Sequence, residues 1–205
     1  MRVAAEIGYF KINVIDPPIG AVWGTFNDRP PNANAVDKMV SAFEIHVDNC
    51  TDSCAMDVAV DPAWLVDPGS ALKKVDGLTI FQVPELRFTQ EGEKAVRSNN
   101  NLWMLSGNHR RLALKRHIDT LKQELTDAKA AMEEKGDDDE SSDGIQIVED
   151  GVAIPYKEAE EKVKYLEERI ERSSFWAVRA YDRGLSWRAY VARFAHLTRS
   201  AHSQA

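Results

Sequence analysis

Two stretches of the chain carry apolar residues at alternating steps of four and three. In the first, Leu114, Ile118, Leu121, Leu125, Ala128 and Met132 follow one another at steps of 4, 3, 4, 3 and 4. In the second, Ala159, Val163, Leu166 and Ile170 repeat the 4, 3, 4 pattern. That spacing lines one face of a helix, and Glu, Lys and Asp fill most positions between. Gly136 and the run Asp137 to Asp143 interrupt the seams. So acidic a stretch has no core to join, and residues 136–144 read as a solvated loop. Ile145 to Ile154, with Asp150-Gly151 at its centre, reads as a small hairpin, and Pro155 suits a first helical position. The pattern predicts an antiparallel helical hairpin inserted over residues 115–173. Each seam is only about three heptads long, which suits intramolecular pairing better than a zipper between partners.

The rest of the chain reads mainly as strands. Ile7 to Ile15 is β-branched and aromatic until Asp16-Pro17-Pro18 stops the ladder. Met56 to Val60 alternates as a half-buried strand does, and Leu78 to Val83 reads as another. Leu102 to Leu105 is a compact apolar run. Ser174 to Tyr181 fits helix or strand, with aromatic and β-branched residues favouring strand. Residues 35–46 form an amphipathic helix with Asn34 as cap and Val36, Met39, Val40 and Phe43 on one face. Ser186 opens a last helix with Trp187, Tyr190, Val191, Phe194 and Leu197 inward, and residues 200–205 form a disordered tail. The expected fold is α+β: a small mixed sheet with flanking helices, as one domain over residues 1–199 that carries the hairpin.

Composition narrows the function classes. The chain has 205 residues, 43% hydrophobic and 29% charged, which is ordinary for a globular protein. A net charge of −7 opposes a general nucleic-acid coat, since phosphate neutralisation needs clustered cations. No apolar run approaches the roughly 18–20 residues of a membrane span. Glu6 and Lys11 break what would be the apolar core of a signal peptide. Two cysteines, too few for a disulfide framework, point to a reducing intracellular compartment, cytoplasmic or nuclear.

Three constellations carry little chemistry. Cys50 and Cys54, near His46, Asp48 and Asp52, lack the Cys-x-x-Cys gap and a second ligand pair, so they read as incidental thiols in a polar loop. His109 and His117 stand two helical turns apart, about 12 Å of rise, too far to share a metal. Arg179, Arg183, Arg188, Arg193 and Arg199 face a single acid, Asp182, with Trp176, Tyr181, Trp187 and Tyr190 interleaved. A nucleic-acid contact is conceivable there, but a solvated basic face is the favoured reading.

The remaining segment does point to a ligand. Leu105-Ser106-Gly107-Asn108-His109-Arg110-Arg111 places an apolar strand, a glycine turn and a basic helix start within seven residues. A strand–turn–helix junction aims unpaired N–H groups outward, and the helix dipole adds partial positive charge. Gly107 permits close backbone approach, and His109, Arg110 and Arg111 supply donors that suit a phosphate. The bland alternative is a helix start whose arginines snorkel or pair with acids.

Ser106 to Ala113 resembles the Gly-Glu-Arg-Arg-x-x-Ala segment of ParB-like N-terminal domains and the Gly-Gly-Cys-His-Arg turn of sulfiredoxins. Asn27-Asp28-Arg29-Pro30 stands where ParB-like domains carry an Asn-Pro-Arg element. The helix with Lys38-Met39-Val40-Ser41 is similar to the sulfiredoxin helix whose Lys and Ser contact nucleotide phosphates. Asp57 to Val60 and Trp176 to Asp182 resemble the family's strands on either side of the motif. The resemblance covers residues 20–120 and 174–198, and its sharp element is the Gly107 turn. It implies a nucleotide- or phosphate-binding site of Lys38, Ser41, Ser106, Gly107, Asn108, His109, Arg110 and Arg111. In that site Lys38 and Arg110 neutralise charge, Gly107 and Asn108 offer N–H donors, and Ser41 and His109 orient the ligand.

Asn108 departs from the family. Sulfiredoxins carry a nucleophilic cysteine there and ParB-like CTPases a glutamate, whereas an amide is neither nucleophile nor base at neutral pH. A non-catalytic, regulatory binding domain is therefore expected. The sequence leaves the cofactor open, with a nucleoside triphosphate and Mg2+ as the candidate. One alternative is an interaction scaffold that binds no nucleotide and captures a protein partner through the hairpin. Another is an ATP- or CTP-dependent phosphotransferase or nucleotide hydrolase with a base elsewhere, Glu85 and Glu91 being the nearest upstream acids.

Overall fold

The computed structural model describes residues 6–17, 21–23, 30–99, 102–133, 146–149 and 152–184. Strands β1 (Glu6–Asn13), β2 (Ala21–Trp23), β3 (Met56–Val60), β4 (Leu102–Met104) and β7 (Phe175–Asp182) form one sheet in the order β1-β7-β3-β4-β2. It is mixed: β7 runs parallel to β3 and antiparallel to β1, while β4 is antiparallel to β3 and parallel to β2. Four helices accompany it among the described residues: α1 (Ala33–Ile45), α2 (Gln90–Asn99), α3 (Asn108–Glu133) and α4 (Tyr156–Ser174). The fold is α+β. Between α3 and α4, β5 (Gln146–Glu149) and β6 (Val152–Pro155) pair antiparallel.

Alternation along the strands decides which face meets the helices. Phe10, Ile12, Met56, Val58, Met104, Trp176 and Val178 share a buried cluster with Val36 and Phe43 of α1 and with Leu114 and Ile118 of α3. Each such side chain, fully buried, contributes about 1.5–3 kcal/mol. The intervening Tyr9 and Ala177 point the other way, into a smaller cluster with Cys50, Val75, Ile80 and Val83. The segment after β3 thus covers part of the second face. Both helical seams are inward: Leu114, Ile118, Leu121, Ala159 and Leu166 are buried. α3 and α4 lie against each other, with Lys129 Nζ 2.6 Å from Glu167 Oε1. No described helix is long and apolar enough to cross a membrane.

The structure departs from the sequence reading at several places. Leu78 to Val83 is not a strand, because Ile80–Gln82 is a single 3-10 turn. The buried residues there, Ile80 and Val83, are three apart rather than two, while Phe81 and Gln82 are exposed. Gln82 Oε1 accepts from the Thr79 N–H at 2.8 Å and closes that turn. Asn32, not Asn34, caps α1, its Oδ1 accepting from the Ala35 N–H at 3.2 Å. β1 ends at Asn13, whose Oδ1 takes the N–H groups of Ile15 and Asp16 in a local turn before the prolines are reached. α2 and β2 were not foreseen. Asn27, Asp28 and Arg29, the 136–144 loop, the Asp150-Gly151 turn, the helix expected from Ser186 and the tail 200–205 lie outside the described residues.

Candidate functional site

β2 and β4 are parallel neighbours, so their C-terminal ends lie at the same end of the sheet. β4 leads into α3 through Leu105, Ser106 and Gly107. The turn is anchored to β3 on both sides. The Leu105 N–H donates to the Asp57 carbonyl at 2.9 Å, and the Asp57 N–H donates to Ser106 Oγ at 2.9 Å. Gly107 then takes φ +92, and a Cβ there would lie 2.5 Å from Met56 Sδ. Only glycine passes this point without strain.

The Arg111 N–H donates to the Gly107 carbonyl at 2.9 Å, the first bond of α3. The N–H groups of Asn108, His109 and Arg110 are therefore the unpaired donors of the helix start. Neither α1 nor α3 carries an acid in its first turn, so no first-turn carboxylate offsets the positive end of either helix. The two starts are held together: the Asn32 N–H donates to His109 Nε2 at 2.9 Å. Accepting at Nε2 requires a neutral imidazole with its proton on Nδ1.

The cations at the turn are already engaged with the protein. Arg110 Nη1 donates to the Cys54 carbonyl at 3.1 Å, and Trp176 Nε1 donates to the same oxygen at 2.7 Å. Arg111 lies 5.0 Å from the centre of the Trp23 ring, and burial lowers its pKa from the ordinary value. Its Nε is buried without a hydrogen-bond partner. Residues Ser106 to Arg111 are all half-buried, so the turn reaches solvent. Lys38 and Ser41 stand exposed on α1, and neither makes a hydrogen bond or ion pair with the turn. Asp37, beside Lys38, instead pairs with Arg116 of α3 at 2.7 Å.

The structure thus joins His109 of the turn with the start of α1, and leaves Lys38 and Ser41 exposed on that helix. Glu85 is paired with Arg87 at 3.2 Å, and Glu91 is exposed in the first turn of α2. Neither acid forms a hydrogen bond or ion pair with the turn, and Asn108 holds no proton-accepting carboxylate. Unpaired N–H groups at a helix start are donors of the kind that can receive an anion.

Sequence reasoning passed over a polar network behind the turn. Arg179 Nη2 donates to the Asp52 carbonyl at 3.2 Å, and Arg179 Nε lies 3.6 Å from Asp57 Oδ1. Its guanidinium also lies 5.4 Å from the Tyr9 ring centre. Burial, with Asp52 adding to it, raises the Tyr9 hydroxyl far above the ordinary tyrosine value. This network and the two donors on the Cys54 carbonyl fix the loop from Asn49 to Ala55 beside the turn. The signal was present as period-two alternation: Arg179 and Tyr181 fall opposite Val178 and Ala180 on β7. Cys50 and Cys54 are free thiols, and no group of three His, Cys, Asp or Glu side chains suited to a metal occurs among the described residues. Burial raises the Cys50 thiol pKa.

Compared with protein-family models, curated proteins and solved structures, the chain matches none.

Proposed function

We propose that this chain is a ParB/sulfiredoxin-like domain that binds a phosphate-bearing ligand, a nucleotide first among them, without turning it over. The observation that carries the reading is the pairing of two helix starts at one end of the sheet. Asn32 and His109 join the N-termini of α1 and α3 by a 2.9 Å hydrogen bond, and neither first turn holds an acid. Partial positive charge from two aligned helices then adds at one place, as phosphate sites use it. Gly107, at φ +92 and close against Met56, makes the turn that brings the start of α3 to that place.

The residue roles follow from what each atom is free to do. Backbone N–H groups of Asn108, His109 and Arg110 are the primary donors, and Asn108 adds its amide. Arg110 and Arg111 act as fixed positive charge, because both guanidiniums are held by the fold. Lys38 and Ser41 reach the ligand only if it extends over α1. Absence of a carboxylate or thiol at position 108 is what makes the site a binding site rather than a phosphotransferase. In this reading α3 and α4 form the helical hairpin inserted into the domain, and the site is regulatory.

Calorimetric titration with CTP, ATP, GTP and inorganic phosphate, with and without Mg2+, tests the proposal. Saturable heat with at least one nucleotide supports it. Heats equal to dilution for all four ligands remove it.

A further inference from the structure

We infer that His117 and Arg169 form a proton-sensitive latch, which clamps α4 on the last turn of α1 and releases it when the imidazole takes up a proton. The latch stands at the far end of α1 from the anion site, about 20 Å away, and is independent of nucleotide binding.

Arg169 of α4 makes the clamp. Its Nη2 donates to the Glu44 carbonyl at 2.8 Å and to the Phe43 carbonyl at 3.4 Å. Carbonyls in the last turn of a helix lack partners within it, and a cation there also meets the negative end of the dipole. α1 has no basic residue of its own in that turn, so α4 supplies one. The His46 N–H closes the same turn on the Ala42 carbonyl at 3.0 Å.

His117 of α3 reaches this turn from the inside. It is 3% exposed, and its ring centre lies 6.3 Å from that of Phe43, the residue whose carbonyl Arg169 holds. Phe43 packs in turn on Trp176 of the sheet, ring centres 5.9 Å apart. His117 Nε2 is buried without a hydrogen-bond partner. In an imidazolium both ring nitrogens donate, so protonation puts an N–H at Nε2 that meets no acceptor. It also puts a charge among apolar side chains. The charged groups acting on this ring among the described residues are Arg169 from α4 and Glu44 from α1. Burial and Arg169 disfavour the charged form, and Glu44 opposes them. On α3 itself the neighbouring Arg116 is turned to Asp37, at 2.7 Å. His46, Glu168, Glu171 and Arg172 are exposed around the outer side of the same turn.

The clamp is the part that yields. Arg169 is half-buried and can swing into water for the loss of two hydrogen bonds, whereas Phe43, Leu114 and Ile118 leave only by opening the apolar cluster. Its departure separates two like charges and admits water to accept from Nε2.

Amide hydrogen exchange of the full chain, followed residue by residue at pH 7.5 and 5.0 and corrected for the intrinsic rate, reads the latch. At pH 5.0 the amides of Phe43 to His46 should lose protection by at least about tenfold, and those of Val58 and Val178 in the sheet by far less. His117→Leu and His117→Gln, which cannot titrate, should show no such loss. Arg169→Leu, which removes the clamp, should already show at pH 7.5 the low protection that the native chain reaches at pH 5.0. His46→Gln, which removes the exposed imidazole, should respond as the native chain does. Equal loss at every amide would overturn the proposal, because the proton then unfolds the whole domain. So would constant protection in the native chain, a response that survives both His117 substitutions, one that His46→Gln abolishes, or native protection in Arg169→Leu.

Discussion

Asn32 and His109 are 77 residues apart in sequence, yet the backbone N–H of one donates to the imidazole Nε2 of the other at 2.9 Å. This bond sets the start of α1 beside the start of α3, and the anion reading depends on that placement. His109→Ala removes the acceptor and is expected to lower stability by about 0.5–1.5 kcal/mol, the usual worth of one such bond. His109→Gln, which keeps an acceptor oxygen, should lose less. Urea denaturation of the three proteins measures both, and unchanged midpoints would show that the bond does not hold the helices together.

Gly107→Ala should be among the costlier single-atom additions in the molecule. Positive φ at an alanine costs about 1–2 kcal/mol, and the new methyl would meet Met56 Sδ at 2.5 Å within a buried site. The total loss is expected to reach at least about 2 kcal/mol, combining strain with overpacking. In a Met56→Ala background the clashes with Sδ and Cγ are removed, leaving the 3.2 Å approach to the Cβ of residue 56 and the backbone share. A double-mutant cycle that finds simple additivity would contradict the contact between Gly107 and Met56.

His117 gives the stability a pH dependence of known sign. Burial holds its imidazole below the ordinary value of 6.5, the Arg169 charge pushes the same way, and Glu44 opposes both. The unfolded chain takes up a proton near 6.5 while the native one still resists it, so below that pH the unfolded state binds more protons. Stability from this group is therefore complete above about 6.5 and is lost as pH falls through the depressed native value. His117→Leu should flatten that part of the profile relative to the native chain. At neutral pH its stability should hold or rise, because the buried Nε2 has no hydrogen-bond partner. Parallel pH profiles for the two proteins would contradict the assignment.

The two thiols should differ in reactivity. Cys50 is 7% exposed with its pKa raised by burial, whereas Cys54 is half-buried at the edge of its loop. A maleimide added to the native protein is expected to modify Cys54 first and Cys50 only on unfolding. Mass mapping of the labelled peptides reads the order directly, and equal rates would place the loop differently.

Much of this architecture was legible from periodicity. The 4, 3, 4 seams gave α3 and α4 because long helices against a core bury the same stripe turn after turn, as Leu114, Ile118 and Leu121 do. β3 was read with its observed ends, Met56 and Val60. The change from apolar strand to basic helix at Gly107 also located the candidate turn. What failed was local and short. β2 has three residues, too few for alternation to register. α2 is polar along most of its length and, over residues 90–98, buries only Gly92 and Val96. It is tied down by close approach rather than by a stripe, since a Cβ on Gly92 would lie 2.5 Å from the Trp64 carbonyl oxygen. The engagement of Arg110 with the Cys54 carbonyl was equally invisible, because no sequence pattern announces which way a guanidinium turns.

Asn34→Asp bears on the central claim most directly. Asn34 is exposed in the first turn of α1, and a carboxylate there should stabilise the helix by about 0.3–1 kcal/mol through the dipole, while setting negative charge beside the paired helix starts. The substituted protein should melt no lower than the native one, and its titration with CTP, ATP or GTP should lose most of the saturable heat. If nucleotide binds Asn34→Asp as tightly as the native chain, the paired helix starts are not where the phosphate goes.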